Sequence, residues 1–108
     1  MISNEWTVAN IATWNKTRFP HNTEAGQYKK VKSEVREYKN AHSKEHKLEE
    51  LADIYIALAG LSRFTEFGDV MCYVFEQTKE FEELKKAINN KMKINVTREF
   101  DEDMHHVG

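Results

Sequence analysis

The sequence predicts an all-α domain, and three observations carry that expectation. Turn residues are scarce, with four glycines and one proline in 108 residues. Helix-favouring Glu, Lys and Ala are abundant. Apolar residues recur at steps of three and four, the period of a helix and not of a strand.

One domain spanning 1–108 is expected, since the chain shows no linker, internal repeat or low-complexity tract. A domain of this length buries only about two-thirds of the surface its unfolded chain exposes, so self-association would help it. Sixteen basic and eighteen acidic residues give a net charge of -2, which offers no global field for a nucleic acid polymer or an anionic membrane. No stretch approaches the roughly 20 apolar residues that span a bilayer. Cys72 is the single cysteine, so no internal disulfide forms, and with no apolar leader at the N-terminus a cytoplasmic setting is the expectation.

Four to five helices follow from the pattern. The first is expected from about Asn4 to Thr17, capped by Ser3 or Asn4, with Trp6, Asn10, Thr13, Trp14 and Thr17 on one face and Pro20 beyond its end. After a cap at Thr23, the second carries Tyr28, Val31, Val35, Tyr38 and His42 as an apolar stripe. Ser43 caps a third, from about Lys44 to Phe64. Its Glu50, Asp53, Ala57, Gly60 and Leu61 fall in one sector, and Leu48, Leu51, Tyr55, Leu58 and Ala59 lie opposite, so both sides read as buried. The small residues Ala57 and Gly60 are expected to leave space beside the acids. Gly68 reads as a helix stop and Asp69 as the next cap. From Val70 the stripe Val74, Phe75, Thr78, Phe81, Leu84, Ile88 and Met92 fits one long helix or two joined ones, and residues 99–108 read as a frayed tail.

The chemistry concentrates in two acid pairs. Glu34 and Glu37 are three apart, twelve residues follow, and Glu50 and Asp53 repeat the spacing. Residues three apart project from one helix face about 4.5 Å along its axis, and packed helices lie about 8 to 10 Å apart, so both pairs can point at one volume. By angle, Glu37 falls further round than Glu34, toward a second neighbour. Converging carboxylates repel unless a cation neutralises them, and oxygen-only ligands suit Mg²⁺ or Mn²⁺. An isolated E-x-x-E is usually a solvated face, but Glu50 and Asp53 sit inside an apolar helix where an unpaired charge is costly. Near the end, Lys91, Asn95 and Arg98 stand at i, i+4 and i+7.

"E-V-R-E", twelve residues and "E-L-A-D", together with "KMKINVTR" and a tryptophan in the first helix (Trp14 or Trp6), resemble the all-α nucleoside triphosphate pyrophosphohydrolases. This is the MazG-like superfamily, which includes all-α dUTPases and dCTP pyrophosphatases. The resemblance covers about residues 6 to 98. It implies a MazG-like helical bundle completed by dimerisation, as a homodimer or a dimer of dimers. It also implies that Glu34, Glu37, Glu50 and Asp53 hold Mg²⁺ while a nucleoside triphosphate is cut to a monophosphate and pyrophosphate, in nucleotide pool sanitation or metabolism. Glu37 is then the expected acceptor of the water's proton, with Lys91, Asn95 and Arg98 on phosphate, sugar or base and Trp14 stacked on the base. Phosphoribosyl-ATP hydrolysis and a non-catalytic helical dimer for partner binding are the alternative readings. Ser33 stands where many members carry a further acid, and residues 62–81 match no form of the family.

Other residues read as structural. His42 and His46 straddle a helix break and fit surface or capping roles, and Cys72 fits the core. Glu102, Asp103, His105 and His106 fall in the tail. The basic run Lys29, Lys30, Lys32, Arg36 and Lys39 reads as a solvated face able to steer an anion.

Overall fold

A computed structural model of the chain describes residues 5–98. They form five α-helices: α1 Val8–Arg18, α2 Glu24–Asn40, α3 Lys44–Leu61, α4 Glu66–Glu76 and α5 Phe81–Asn95. No strand occurs among the described residues, as the all-α expectation requires. The expected tail, 99–108, lies outside them, as do Ser3 and Asn4.

The chain is organised around α3. From Ala52 to Leu61 all but Asp53 are buried, on every side of the helix, and α1, α2, α4 and α5 each pack against it. A helical segment apolar all round must be enclosed, and the segment 54–61 of α3 has that character. Ile11, Tyr55, Leu61, Cys72, Leu84, Ile88 and Met92 make the core around it.

Local chemistry sets the boundaries. Thr23 and Ser43 cap α2 and α3 as expected, accepting from Gly26 N at 3.0 Å and His46 N at 3.0 Å. The first helix starts later than expected. Thr7 is extended and its hydroxyl accepts from Asn10 N, so Trp6 precedes the helix and its backbone N–H donates to Asn89 Oδ1 of α5. The buried face of α1 is also rotated from the expected one: Ile11 and Asn15 are buried, whereas Asn10, Thr13 and Thr17 are exposed. On α2, Val31, Val35 and Tyr38 are half-buried as the stripe predicts, but Tyr28 is 42% exposed and His42 lies exposed beyond the helix end.

Gly68 is the clearest correction. Instead of stopping a helix it lies buried inside α4, which begins at a Thr65 cap. A Cβ on Gly68 would stand 2.5 Å from Leu58 O and 2.6 Å from Ser62 N, so the glycine is what lets α4 close onto the end of α3. Residues 77–80 then interrupt the final stripe and separate α4 from α5. Phe81, Leu84, Ile88 and Met92 face the core as predicted, whereas Val74 and Thr78 are exposed. No described helix is long and apolar enough to cross a membrane.

Candidate metal centre and cleft

A cleft of about 580 Å³ opens where α2, α3 and the end of α5 meet α1. Glu34, Glu37, Glu50, Asp53, Trp14, Lys91, Asn95 and Arg98 all line it. Four helices and the turn after α5 thus bring the eight sequence-predicted residues to one place.

At one end Glu34 of α2 meets Glu50 and Asp53 of α3. One carboxylate oxygen from each lies within 4.8 Å of the others. Glu34 and Glu50 are each 9% exposed, which is unusual for an acid. Helix geometry explains the meeting: Glu50 and Asp53 share one side of α3, and Glu34 sits where α2 crosses that side. Glu37, one turn along α2, lines the same cleft while exposed to solvent, and it stands outside the set of three. It does not turn to a second neighbour.

Each clustered acid has a basic partner. Lys30 Nζ lies 3.1 Å from Glu34, His46 Nε2 lies 3.2 Å from Glu50, and Lys91 Nζ lies 3.3 Å from Asp53. Burial pushes the Asp53 carboxyl up to about 6 from 3.8, and the charges of Glu34 and Glu50 add to the rise while Lys91 opposes it. The oxygen-only donor set, crowded and partly desolvated, fits a hard divalent cation such as Mg²⁺ or Mn²⁺. His46 stands beside the cluster as a neighbour of Glu50.

The opposite end is aromatic and amide-lined, and most of it was not legible beforehand. Trp14 meets Phe19 edge-on, with ring centroids 5.7 Å apart. Asn15 and Gln27 are 4% and 1% exposed. Gln27 Nε2 donates to Ala57 O at 2.8 Å, and its Oε1 accepts from Asn22 Nδ2 at 2.7 Å. Arg63 donates to Asn15 Oδ1 at 2.6 Å and to the carbonyls of Asn15 and Phe19 at the end of α1. These bonds fix both amides in orientation, and among the described residues no buried side-chain nitrogen or oxygen lacks a partner. Gly60 does not widen the cleft beside the acids as expected. Its missing side chain is replaced by these amides, since a Cβ there would stand 2.6 Å from Gln27 Nε2 and 2.8 Å from Asn15 Nδ2. Ala57 does line the cleft.

The structure leaves other candidates structural. Cys72 is buried and its Sγ contacts Tyr55 O at 3.7 Å; burial pushes the thiol's pKa up, which keeps it neutral. Tyr55 donates from its hydroxyl to Glu76 at 2.8 Å, and burial likewise raises its pKa. Residues 102–106 lie outside the described part. Compared with protein-family models, curated proteins and solved structures, the chain matches none.

Proposed function

We propose that this protein is a Mg²⁺-dependent nucleoside triphosphate pyrophosphohydrolase of MazG-like type, active as a homodimer or a dimer of dimers. The observation that carries the reading is the convergence of Glu34, Glu50 and Asp53 within 4.8 Å, at one end of a cleft whose other end is aromatic and amide-lined. An anionic polyphosphate suits the first end and a base suits the second.

Glu34, Glu50 and Asp53 hold the ion, with Mn²⁺ as a substitute. When bound, Mg²⁺ screens the charge of the phosphates and makes a water more acidic. Lys91, Asn95 and Arg98, at and beyond the end of α5, line the cleft and contact the phosphates or sugar. Trp14 stacks on the base. Glu37, the exposed acid of the cleft, accepts a proton from the attacking water. The water oxygen bonds to phosphorus at the α–β linkage as the bridging P–O bond breaks, and pyrophosphate leaves with the electron pair.

The homodimer has its own support. Phe67, Val70 and Val74 of α4 are 47 to 54% exposed, recur at i, i+3 and i+7, and continue to Tyr28, whose ring stacks on Phe67 at 6.4 Å. A second subunit covers such a stripe in a small bundle.

The test is incubation of the protein and its Asp53→Asn variant with a panel of natural and damaged triphosphates plus Mg²⁺, following pyrophosphate. Release by the wild type and a loss of at least a hundredfold in the variant is expected. No release from any substrate, or undiminished release by the variant, contradicts the reading.

A further inference from the structure

We propose that Lys91 is the resident cation of the carboxylate cluster and that an incoming divalent ion displaces it, so that metal binds before phosphate. The inference rests on the metal-site reading above and adds what the ion must displace and where that group goes.

The three basic partners of the cluster are not equivalent. Lys30 and Glu34, like His46 and Glu50, are four apart on one helix, so each pair forms with its own helix. Lys91 reaches from α5 to Asp53 on α3, and only tertiary packing brings it there. Its side chain is 24% exposed and that of Asp53 is 23%, so the pair is formed largely out of water.

An ammonium has hydrogens and no lone pair, so it neutralises a carboxylate without ligating an ion. A divalent cation on Asp53 and an ammonium 3.3 Å from the same carboxylate repel each other. That repulsion favours departure of the ammonium when the ion arrives, and Lys91 has the flexible stem that allows it. Lys91 lines the cleft with Asn95 and Arg98, so its freed end has room to turn within the cleft toward phosphate oxygens. Without the ion, a polyphosphate meets three carboxylates and an engaged lysine. With it, the same volume carries the ion's charge and a free ammonium. Coupling of this kind is reciprocal: phosphate tightens the ion as much as the ion tightens phosphate.

The test measures Mn²⁺ binding by electron paramagnetic resonance at pH 8, then pyrophosphate binding to the Mn²⁺-loaded protein by calorimetry. Wild type, Lys91→Met and Lys86→Met are compared, Lys86 being an exposed lysine of the same helix. Lys91→Met should bind Mn²⁺ about fivefold tighter and pyrophosphate about tenfold weaker, whereas Lys86→Met changes each by less than about twofold. A lysine with a merely structural role would lower both affinities together. Unchanged or weaker Mn²⁺ binding by Lys91→Met, with the wild type binding, overturns the displacement and leaves the metal site standing. Absence of Mn²⁺ binding in all three proteins overturns both. If Lys91→Met does not fold, Lys91→Gln takes its place with the same expected signs.

Discussion

Gly68 of α4 faces Leu58 of α3 so closely that a β-carbon would stand 2.5 Å from the Leu58 carbonyl oxygen. Backbone lies on both sides of this contact, and neither helix can yield without moving the other. Gly68→Ala is therefore expected to destabilise the fold by about 2 to 4 kcal/mol. Urea unfolding followed by circular dichroism measures it, and a cost below about 0.5 kcal/mol would mean that α4 does not sit this close.

Gly60 presents the second close approach, against side chains. The amides of Gln27 and Asn15 fill its place, each already fixed by partners. Gly60→Ala should displace Gln27 from Ala57 O and cost about 1 to 3 kcal/mol, the range for leaving buried polar groups unpaired. Gln27→Leu should cost a similar amount, because it removes both the bond to Ala57 O and the bond from Asn22 Nδ2. The double variant should cost less than the sum of the two, since both disturb the same bonds.

Asp53 should trade stability for function. Its folded-state pKa is raised, from 3.8 to about 6, so the native state holds the proton more tightly than the unfolded chain does. The contribution is favourable below about pH 4 and is lost as pH rises through 6, the opposite of the usual carboxylate. Without metal, Asp53→Asn should then be more stable than the wild type at pH 7, by about 1 to 3 kcal/mol given the partial exposure of the site. The gain should vanish at pH 4. Thermal melts at the two pH values in the presence of a chelator report it, and a variant less stable at pH 7 would contradict the origin given for the shift.

The α4 stripe makes a prediction about assembly. Sedimentation of the wild type should give at least twice the monomer mass. Val70→Lys with Val74→Lys should give a folded monomer, because both positions are about half exposed and contribute little to the core. A monomeric wild type would remove the dimer from the account.

Much of this architecture could be read beforehand, for a physical reason. Caps such as Thr23 and Ser43 act within three residues, and the Phe81, Leu84, Ile88 and Met92 stripe needs only its own helix to be recognised. The acids could be placed on one volume because spacing along a helix fixes direction. Gly68 reads as a helix stop because a glycine that ends a helix and one that admits a neighbouring helix look alike in sequence; Leu58 decides between them from another element. Asn15 and Gln27 likewise carry no signal in the sequence that marks them as buried. Their burial depends on Gly60 and Arg63, which lie more than thirty residues away along the chain.

The dependence of the unfolding temperature on Mg²⁺ tests the central claim, a cation site made by Glu34, Glu50 and Asp53. At pH 8 the wild type should gain stability with ligand concentration, by about 2.7 kcal/mol at a hundred times Kd, or roughly 10 °C. Asp53→Asn and Glu50→Gln should respond weakly or not at all. A flat wild-type response, or variants that rise in parallel with it, would contradict the claim.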